Sequence, residues 1–412
     1  MSLEGKTFDL SSAYKQFPLH CDDRSVLRIA VPVPGEKRCE VYGLNSLPFG
    51  ATGSVAGLLR ISTALFHVIT LGLGIWTGTF FDDFPVLSMG NISHLTEQHV
   101  SMLLDLLGMK FSKEGKKWVP FSSQMAALGV IVDTSKFSDG SIFLLHTDSR
   151  KAELNDTPDK HLLEGTMTQK EAESLRGRLI WFESFMFGRV ANLSLHVIGK
   201  RAIDGGGNTI VSAELRRALC FFKDRIVNGP PIEICAAVGE VMHVFTDGAF
   251  EEGSQHPGTV GGVLYSSSGV PLGFFSEVVP QRLMNRYLET SRNPIYLVEL
   301  LGALVAILLW AQKFPHRFVV SYLDNEASKA ALIKAWSNID EANRIIKLYV
   351  DEELKCFWKP WFGRVPTHSN PADAPSRLHI SDLVASGVER FHFDWNSILD
   401  TLVAPAHEEQ MG

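Results

Sequence analysis

Several common structural solutions are missing from this sequence. Its five cysteines (Cys21, Cys39, Cys220, Cys235 and Cys356) are odd in number, scattered, and never form a C-x-x-C pair. That pattern speaks against a disulfide framework or a zinc site, and a reducing, intracellular compartment is expected. The opening segment, MSLEGKTFDLSSAYKQ, lacks the apolar stretch of a secretory signal.

Long uninterrupted apolar runs are also few. Leu65 to Trp76 is too short for a bilayer and Ile295 to Trp310 carries Glu299 near its start, so both are predicted as buried helices, with no membrane partner. Nor is there an excess of basic charge: 39 Lys and Arg stand against 46 Asp and Glu, a net charge of -7. A chain of this balance that grips nucleic acid must segregate its cations into patches. The 412 residues, 45% of them hydrophobic, suffice for two or three domains with sizeable cores and exclude a disordered chain.

What the chain does hold is acid between apolar runs. Gly78 to Phe81 and Phe84 to Leu87 are predicted as strands, with Asp82 and Asp83 in the turn between them. Adjacent like charges in such a turn are best tolerated beside a cation, although a solvated turn has the same composition. Upstream, Lys6 to Leu10 is strand-like and carries Asp9, ahead of a helix predicted within Ser11 to Gln16 whose start Asp9 or Ser11 could cap. Next come strands at Ser25 to Val31 and Arg38 to Tyr42, the loop Gly43 to Gly50, and a helix over Ser54 to Ile69. Beyond the acidic turn follow an amphipathic helix from His94 to Leu107, a lysine-rich stretch from Lys110 to Lys117, and a strand with a glycine kink from Met125 to Val132.

Taken in order, D-L-S-S-A-Y at 9 to 14, L-P-F-G at 47 to 50, F-F-D-D at 80 to 83, the lysine cluster, and A-L-G-V-I-V at 127 to 132 resemble the palm motifs of retrotransposon reverse transcriptases. The resemblance implies an RNA-directed DNA polymerase working on an RNA template, a DNA primer and deoxynucleoside triphosphates. Nucleotide addition is an in-line phosphoryl transfer that two divalent ions about 3.5 to 4 Å apart can promote, and hard ions such as Mg²⁺ or Mn²⁺ call for carboxylate oxygens. By resemblance, Asp9 and Asp82 are the main ligands and Asp83 a less direct third. Tyr14 matches the aromatic set against a ribose 2′-hydroxyl. Pro48, Phe49 and Gly50 fall near template and incoming nucleotide, Lys113 or Lys116 near the triphosphate, and Leu128 with Gly129 at the primer strand. The lysines suit a solvated turn equally well. Phe80 stands where a tyrosine is common, and Val55 where many relatives have proline. The family places a basic fingers region ahead of the first aspartate, whereas eight residues precede Asp9 here, so the expectation is an N-terminally truncated palm.

In the middle of the chain, Ser141 to Leu145 is short and apolar. Thr168 is predicted to start a helix with Leu175, Leu179, Ile180, Phe182 and Phe185 at helical spacing and Arg176, Arg178 and Arg189 nearby. A basic helical face suits a polymerase thumb, and an ordinary amphipathic pair with solvated arginines has the same sequence. Ala213 to Val227 is another predicted helix, which Asn228-Gly229-Pro230-Pro231 ends.

A second acidic series follows. Strands are predicted at Val241 to Phe245 (running into Asp247), Thr259 to Tyr265, Pro271 to Glu277, Arg317 to Leu323 (running into Asp324) and Phe357 to Val365. The apolar helix Ile295 to Trp310 contains Glu299, which must be paired, protonated or metal-bound if buried. A loop, His368 to Arg377, carries Asp373. This order resembles ribonuclease H, with Asp247, Glu299, Asp324 and Asp373 matching its four metal-binding carboxylates, and N-P-A-D-x-x-S-R resembles the retroelement versions, the DIRS-type group among them. The resemblance implies two Mg²⁺ or Mn²⁺ per active site and cleavage of the RNA strand of an RNA/DNA hybrid, with His368 aiding departure of product, although a lone loop histidine is also simply exposed.

The predicted organisation is an α+β polymerase palm (1–132), a helical thumb-like region (133–203), a linker with a connecting helix (204–237), an α/β ribonuclease H-like domain (238–378) and a tail (379–412). Two other readings stay open: a non-catalytic nucleic-acid-binding relic, and a nuclease in which only the second domain works.

Overall fold

The computed structural model describes residues 2–404 except 116–117, 186–188, 204–206, 208 and 236–239. Its contacts divide the chain into two compact units, Met1–Arg150 with Pro230–Ala236, and Lys151–Gly229 with Ala237–Gly412.

The first unit opens with β1 (Leu3–Asp9) and α1 (Ala13–Gln16), then the hairpin of β2 (Arg28–Pro32) and β3 (Cys39–Gly43). Helix α2 (Thr52–His67) runs on through a π-helical turn, Val68–Gly72, to β4 (Trp76–Thr77), β5 (Asp83–Met89) and α3 (Ser93–Leu106). Antiparallel pairing gives the sheet β1-β5-β4. A second sheet joins β6 (Gln124–Ala127), β7 (Val130–Asp133), β8 (Ser141–His146) and β9 (Ile232–Cys235). On β5 burial alternates, so Phe84 and Val86 face a core shared with Phe8, Leu10 and the α2 residues Leu58 and Leu65.

Three expectations are corrected here. Of the apolar run Leu65 to Trp76, the part up to Gly72 is the end of a longer helix, Thr52–Gly72, whose 21 residues and mean hydropathy of 1.6 are enough by length and composition to cross a membrane, and Trp76 opens β4. Its buried residues, Ser54, Leu58, Ser62, Leu65 and Ile69, form one stripe at helical spacing. Gly78 to Phe81 makes only an isolated bridge between Phe80 and Asp83 instead of a strand, because Phe81 turns the chain at φ 53°. Met125 to Val132 is a hairpin instead of one strand: Leu128 (φ 54°) and Gly129 (φ 81°) form a two-residue turn of the I′ kind between β6 and β7.

The second unit begins with helices α4 (Asp148–Glu164, which starts in the last residues of the first unit), α5 (Gln169–Ser184), α6 (Asn192–Ile203) and α7 (Ala213–Asn228). Thr168 starts α5 with a capping box, its hydroxyl accepting from the Glu171 amide at 3.3 Å and the Glu171 carboxylate accepting from the Thr168 amide at 2.9 Å. The four helices share one core, with Leu154, Leu175, Ile198 and Leu219 fully buried in it. Helix α7, expected in a linker, is therefore a member of the bundle.

The unit continues with β10 (Val241–Phe250), β11 (Gly258–Tyr265), β12 (Pro271–Val278), α8 (Gln281–Thr290), α9 (Ile295–Trp310), β13 (Phe318–Leu323), α10 (Glu326–Lys334), α11 (Asp340–Cys356) and β14 (Lys359–Arg364). The short helices α12 (Asp373–Ser376), α13 (Ser381–Ala385) and α14 (Leu399–Val403) complete it. The sheet order is β12-β11-β10-β13-β14, antiparallel from β10 to β12 and parallel from β10 through β13 to β14. Helix α9 is buried almost throughout and packs on β10 and α11. Phe391, Ile398 and Leu402 of the tail lie in the same core, so the described residues 379–404 belong to this fold.

Candidate functional site

The parallel pairing of β10 with β13 sets Phe245 opposite Tyr322. Two residues further along each chain stand Asp247 and Asp324, so both carboxylates arrive at the same end of the sheet. Helix α9 crosses β10 at backbone contact: a Cβ on Gly302 would lie 3.1 Å from the Asp247 carbonyl oxygen. That approach brings Glu299 over the strand. Carboxylate oxygens of Asp247, Glu299 and Asp324 all lie within 4.8 Å of one another.

The surrounding residues hold this trio. Asn325, not Asp324, caps α10, accepting from the amides of Ala327 at 3.0 Å and Ser328 at 3.1 Å. Asp324 instead accepts from the Thr367 hydroxyl at 2.9 Å. The Ser376 hydroxyl bonds the Asp247 carboxylate. The loop that presents Ser376 is pinned to the sheet by the hydroxyls of Thr259 (2.5 Å to the Ser376 carbonyl) and Ser276 (2.6 Å to the Pro375 carbonyl). Asn370 donates to the Thr246 carbonyl at 3.1 Å. A Cβ on Gly261 would come within 2.2 Å of the Ser376 amide, so glycine is what lets this loop close onto β11.

Burial dominates the electrostatics. Asp247 is 3% exposed, and burial, with Asp324 and Asp373 adding negative charge, pushes its carboxyl up to about 6 against the pull of the Ser376 hydroxyl. Glu299 is 4% exposed, and burial followed by the charges of Asp247 and Asp324 pushes it up to about 10. Its Oε2 atom is buried without a hydrogen-bond partner. Crowded, desolvated oxygens with one left unsatisfied are the donor set that a hard divalent cation fits.

Asp373, expected as a fourth member, heads α12 and pairs with Arg377 at 3.1 Å; it is not in the group within 4.8 Å. His368 is exposed in the turn Thr367–Ser369. Thr367 and the glycines 248, 261 and 302 support the trio without having been singled out from sequence, and Asn370 and Ser376, the N and S of N-P-A-D-x-x-S-R, were read there only as part of that motif. The polar loop entering Asp373 and the T-D-G stretch within β10 are the signals that could have found them.

In the first unit, the register of β1 and β5 sets Asp9 directly opposite Asp83, and the Leu10 amide donates to the Asp82 carbonyl at 3.0 Å. Asp9 accepts from the Ser112 hydroxyl at 3.3 Å. The three aspartates are neighbours in the fold, but among the described residues they do not form a group within 4.8 Å. Neither Asp9 nor Ser11 caps α1, whose N-cap is Ser12 without a side-chain bond. Tyr14 meets Phe49 edge-on at 5.6 Å, beside Pro48 and Gly50 (φ 90°). Lys113 is engaged by Asp105 at 2.7 Å and stands over the Phe111 ring, and Lys116 lies outside the described residues. Leu128 and Gly129 form the hairpin tip noted above. His20, Cys21 and Asp22, consecutive and exposed, are the other trio of ligand atoms within 4.8 Å among the described residues.

No family model matches the chain, and no curated protein does. Among solved structures it is similar to the foamy viral protease-reverse transcriptase in complex with RNA/DNA hybrid (17% identity, TM-score 0.43, 87% of this chain and 44% of that one). It is likewise similar to that protein's dRH form in complex with double-stranded DNA (15% identity, TM-score 0.43, 87% and 56%). The chain thus spans about half the length of these two structures. Ribonuclease H1 from the halophilic archaeon Halobacterium salinarum matches over 34% of this chain and 98% of its own, at 22% identity and TM-score 0.28.

Proposed function

We propose that this chain is a metal-dependent nuclease that cleaves the RNA strand of RNA/DNA hybrids at the Asp247 centre, carried beside a reverse transcriptase-like palm. The observation that supports it is the meeting of Asp247, Glu299 and Asp324, from a strand, a helix and a second strand's end, with oxygens within 4.8 Å. A pair of Mg²⁺ or Mn²⁺ ions would supply activation of water and stabilisation of the leaving oxygen. Asp247, steadied by Ser376, and Asp324, steadied by Thr367, are the residues to hold them. Glu299 gives up an unfavourable buried position when its charge is matched. Contacts to 2′-hydroxyls in a minor groove would select hybrid over DNA duplex. Incubating the chain with labelled hybrid and Mg²⁺ or Mn²⁺, alongside Asp247→Asn, tests this: wild type should release 5′-phosphate RNA fragments and the variant should not.

A second reading, template-directed nucleotide addition at the palm, is favoured by the cross-strand pairing of Asp9 with Asp83. Primer extension on an RNA template, lost in Asp9→Asn and Asp82→Asn, is its test. Salt-dependent hybrid binding with neither activity would mean a binding relic.

A further inference from the structure

Within the second unit, α5, α6 and the corner that joins α10 to α11 line an open cleft of about 560 Å³ that shares no residue with the acidic trio. Its volume falls in the range of roughly 300 to 1,000 Å³ typical of small-ligand sites. Two rings line it: His196 and Trp336 lie tilted against each other, centroids 4.2 Å apart and planes 32° apart. Burial, with Lys200 and Arg176 nearby and Glu214 opposing, holds His196 below its ordinary range, which favours the neutral imidazole in this pair. Ile180 and Leu195 extend the apolar wall.

The unpaired charge at this cavity, among the described residues, is of one sign. Arg176 and Lys334 line it, both exposed, and neither forms an ion pair among the described residues. The lining carboxylate, Glu183, is already matched by Arg225, which donates to its two oxygens at 2.6 Å and 3.0 Å. The walls are fixed in advance: Asn192 donates to the Lys334 carbonyl at 2.7 Å, tying the end of α10 to α6. A Cβ on Gly199 would meet Arg176 Nε at 3.0 Å, so glycine makes room for the arginine against α6. In a chain of net charge -7, two unmatched cations beside an indole call for a ligand that is both flat and anionic.

We propose that this cavity binds a nucleoside monophosphate, the base against Trp336 and the phosphate between Arg176 and Lys334. A neutral aromatic leaves the cations unmatched, and a phosphate without a ring leaves the indole wall bare. The proposal does not depend on the nuclease reading, because it uses none of those residues.

The test is calorimetric titration of the full chain with AMP in EDTA, so that the acidic trio holds no divalent ion. Saturable one-to-one binding is expected, weakened by roughly tenfold or more in Arg176→Gln and in Lys334→Gln and unchanged in Asp247→Asn. Adenosine and ribose 5-phosphate should each bind at least roughly tenfold more weakly than AMP. AMP should quench a fluorescence component that Trp336→Phe lacks, with the variant's thermal melt confirming that it folds. The proposal is overturned by the absence of saturable AMP binding, by binding that both glutamine variants retain, or by binding confined to single-stranded oligonucleotides, which would make the cavity part of a polynucleotide track.

Discussion

Gly248 of β10 lies against the backbone of Glu299 so closely that a Cβ there would stand 2.7 Å from the Glu299 amide nitrogen. The strand that carries one carboxylate of the acidic centre and the helix that carries another therefore touch backbone to backbone. Because protein interiors are close-packed, an added methyl must push α9 away, and Glu299 with it. Gly248→Ala should cost about 1 to 3 kcal/mol in urea unfolding and abolish hybrid cleavage. Retained cleavage at wild-type stability would show that the contact is slack.

Stability without metal should fall as pH rises. Asp247 and Glu299 hold protons up to about 6 and about 10 in the folded chain, against ordinary values of 3.8 and 4.5. Over that window the folded state binds more protons than the unfolded one, so these groups favour folding below about pH 4 and lose that contribution progressively as pH rises through their folded values. In EDTA, a loss on the order of 5 kcal/mol between pH 5 and pH 8 is expected, most of it from Glu299. Mg²⁺ or Mn²⁺ should restore it at pH 8, and Glu299→Gln should flatten the profile. Thermal melts across pH, with and without metal, check both signs.

Arg189 binds the helical bundle to the five-stranded sheet and its helices. It donates to the Leu332 carbonyl at the end of α10 at 2.6 Å, pairs with Glu353 of α11 and lies 5.0 Å over the Phe362 ring. Burial pushes Glu353 up to about 7 even with Arg189 opposing. Arg189→Ala strands a buried carboxyl and should cost about 3 to 5 kcal/mol, part of which Glu353→Gln in the same chain should restore. A denaturant-unfolding double-mutant cycle measures the coupling.

At the β6–β7 turn, Leu128 adopts φ 54°, a left-handed conformation that asparagine tolerates better. Leu128→Asn should stabilise the hairpin by a few tenths of a kcal/mol to about 1 kcal/mol. A lower midpoint in thermal unfolding would mean that the leucine's packing outweighs its backbone strain.

Strands and helices with a clear period were legible in the sequence: the helix start at Thr168, the helix Ser54 to Ile69 and the five strands around Asp247 are where the residues place them. Helix α4 was not, because its surface is polar almost all round and only Leu154, Pro158 and His161 are buried. The hairpin at Leu128 was hidden by a leucine where turn chemistry favours asparagine or glycine. At the acidic centre, order along the chain pointed to four carboxylates, while the tight group holds three, because Asp373 turns to Arg377 four residues on. The close approach of α9 to β10 was unreadable for a different reason. Gly248 and Gly302 lie 54 positions apart in sequence, and only the folded chain shows that both face the same crossing.

The most direct test of the central claim is cleavage of a uniformly labelled RNA/DNA hybrid by the purified chain in Mn²⁺ or Mg²⁺, run beside Asp247→Asn and Glu299→Gln. Metal-dependent release of RNA fragments by wild type is expected, with a loss of at least roughly a hundredfold in each variant. A folded wild-type chain that leaves the hybrid intact in both metals, or variants that cleave as well as wild type, would contradict it.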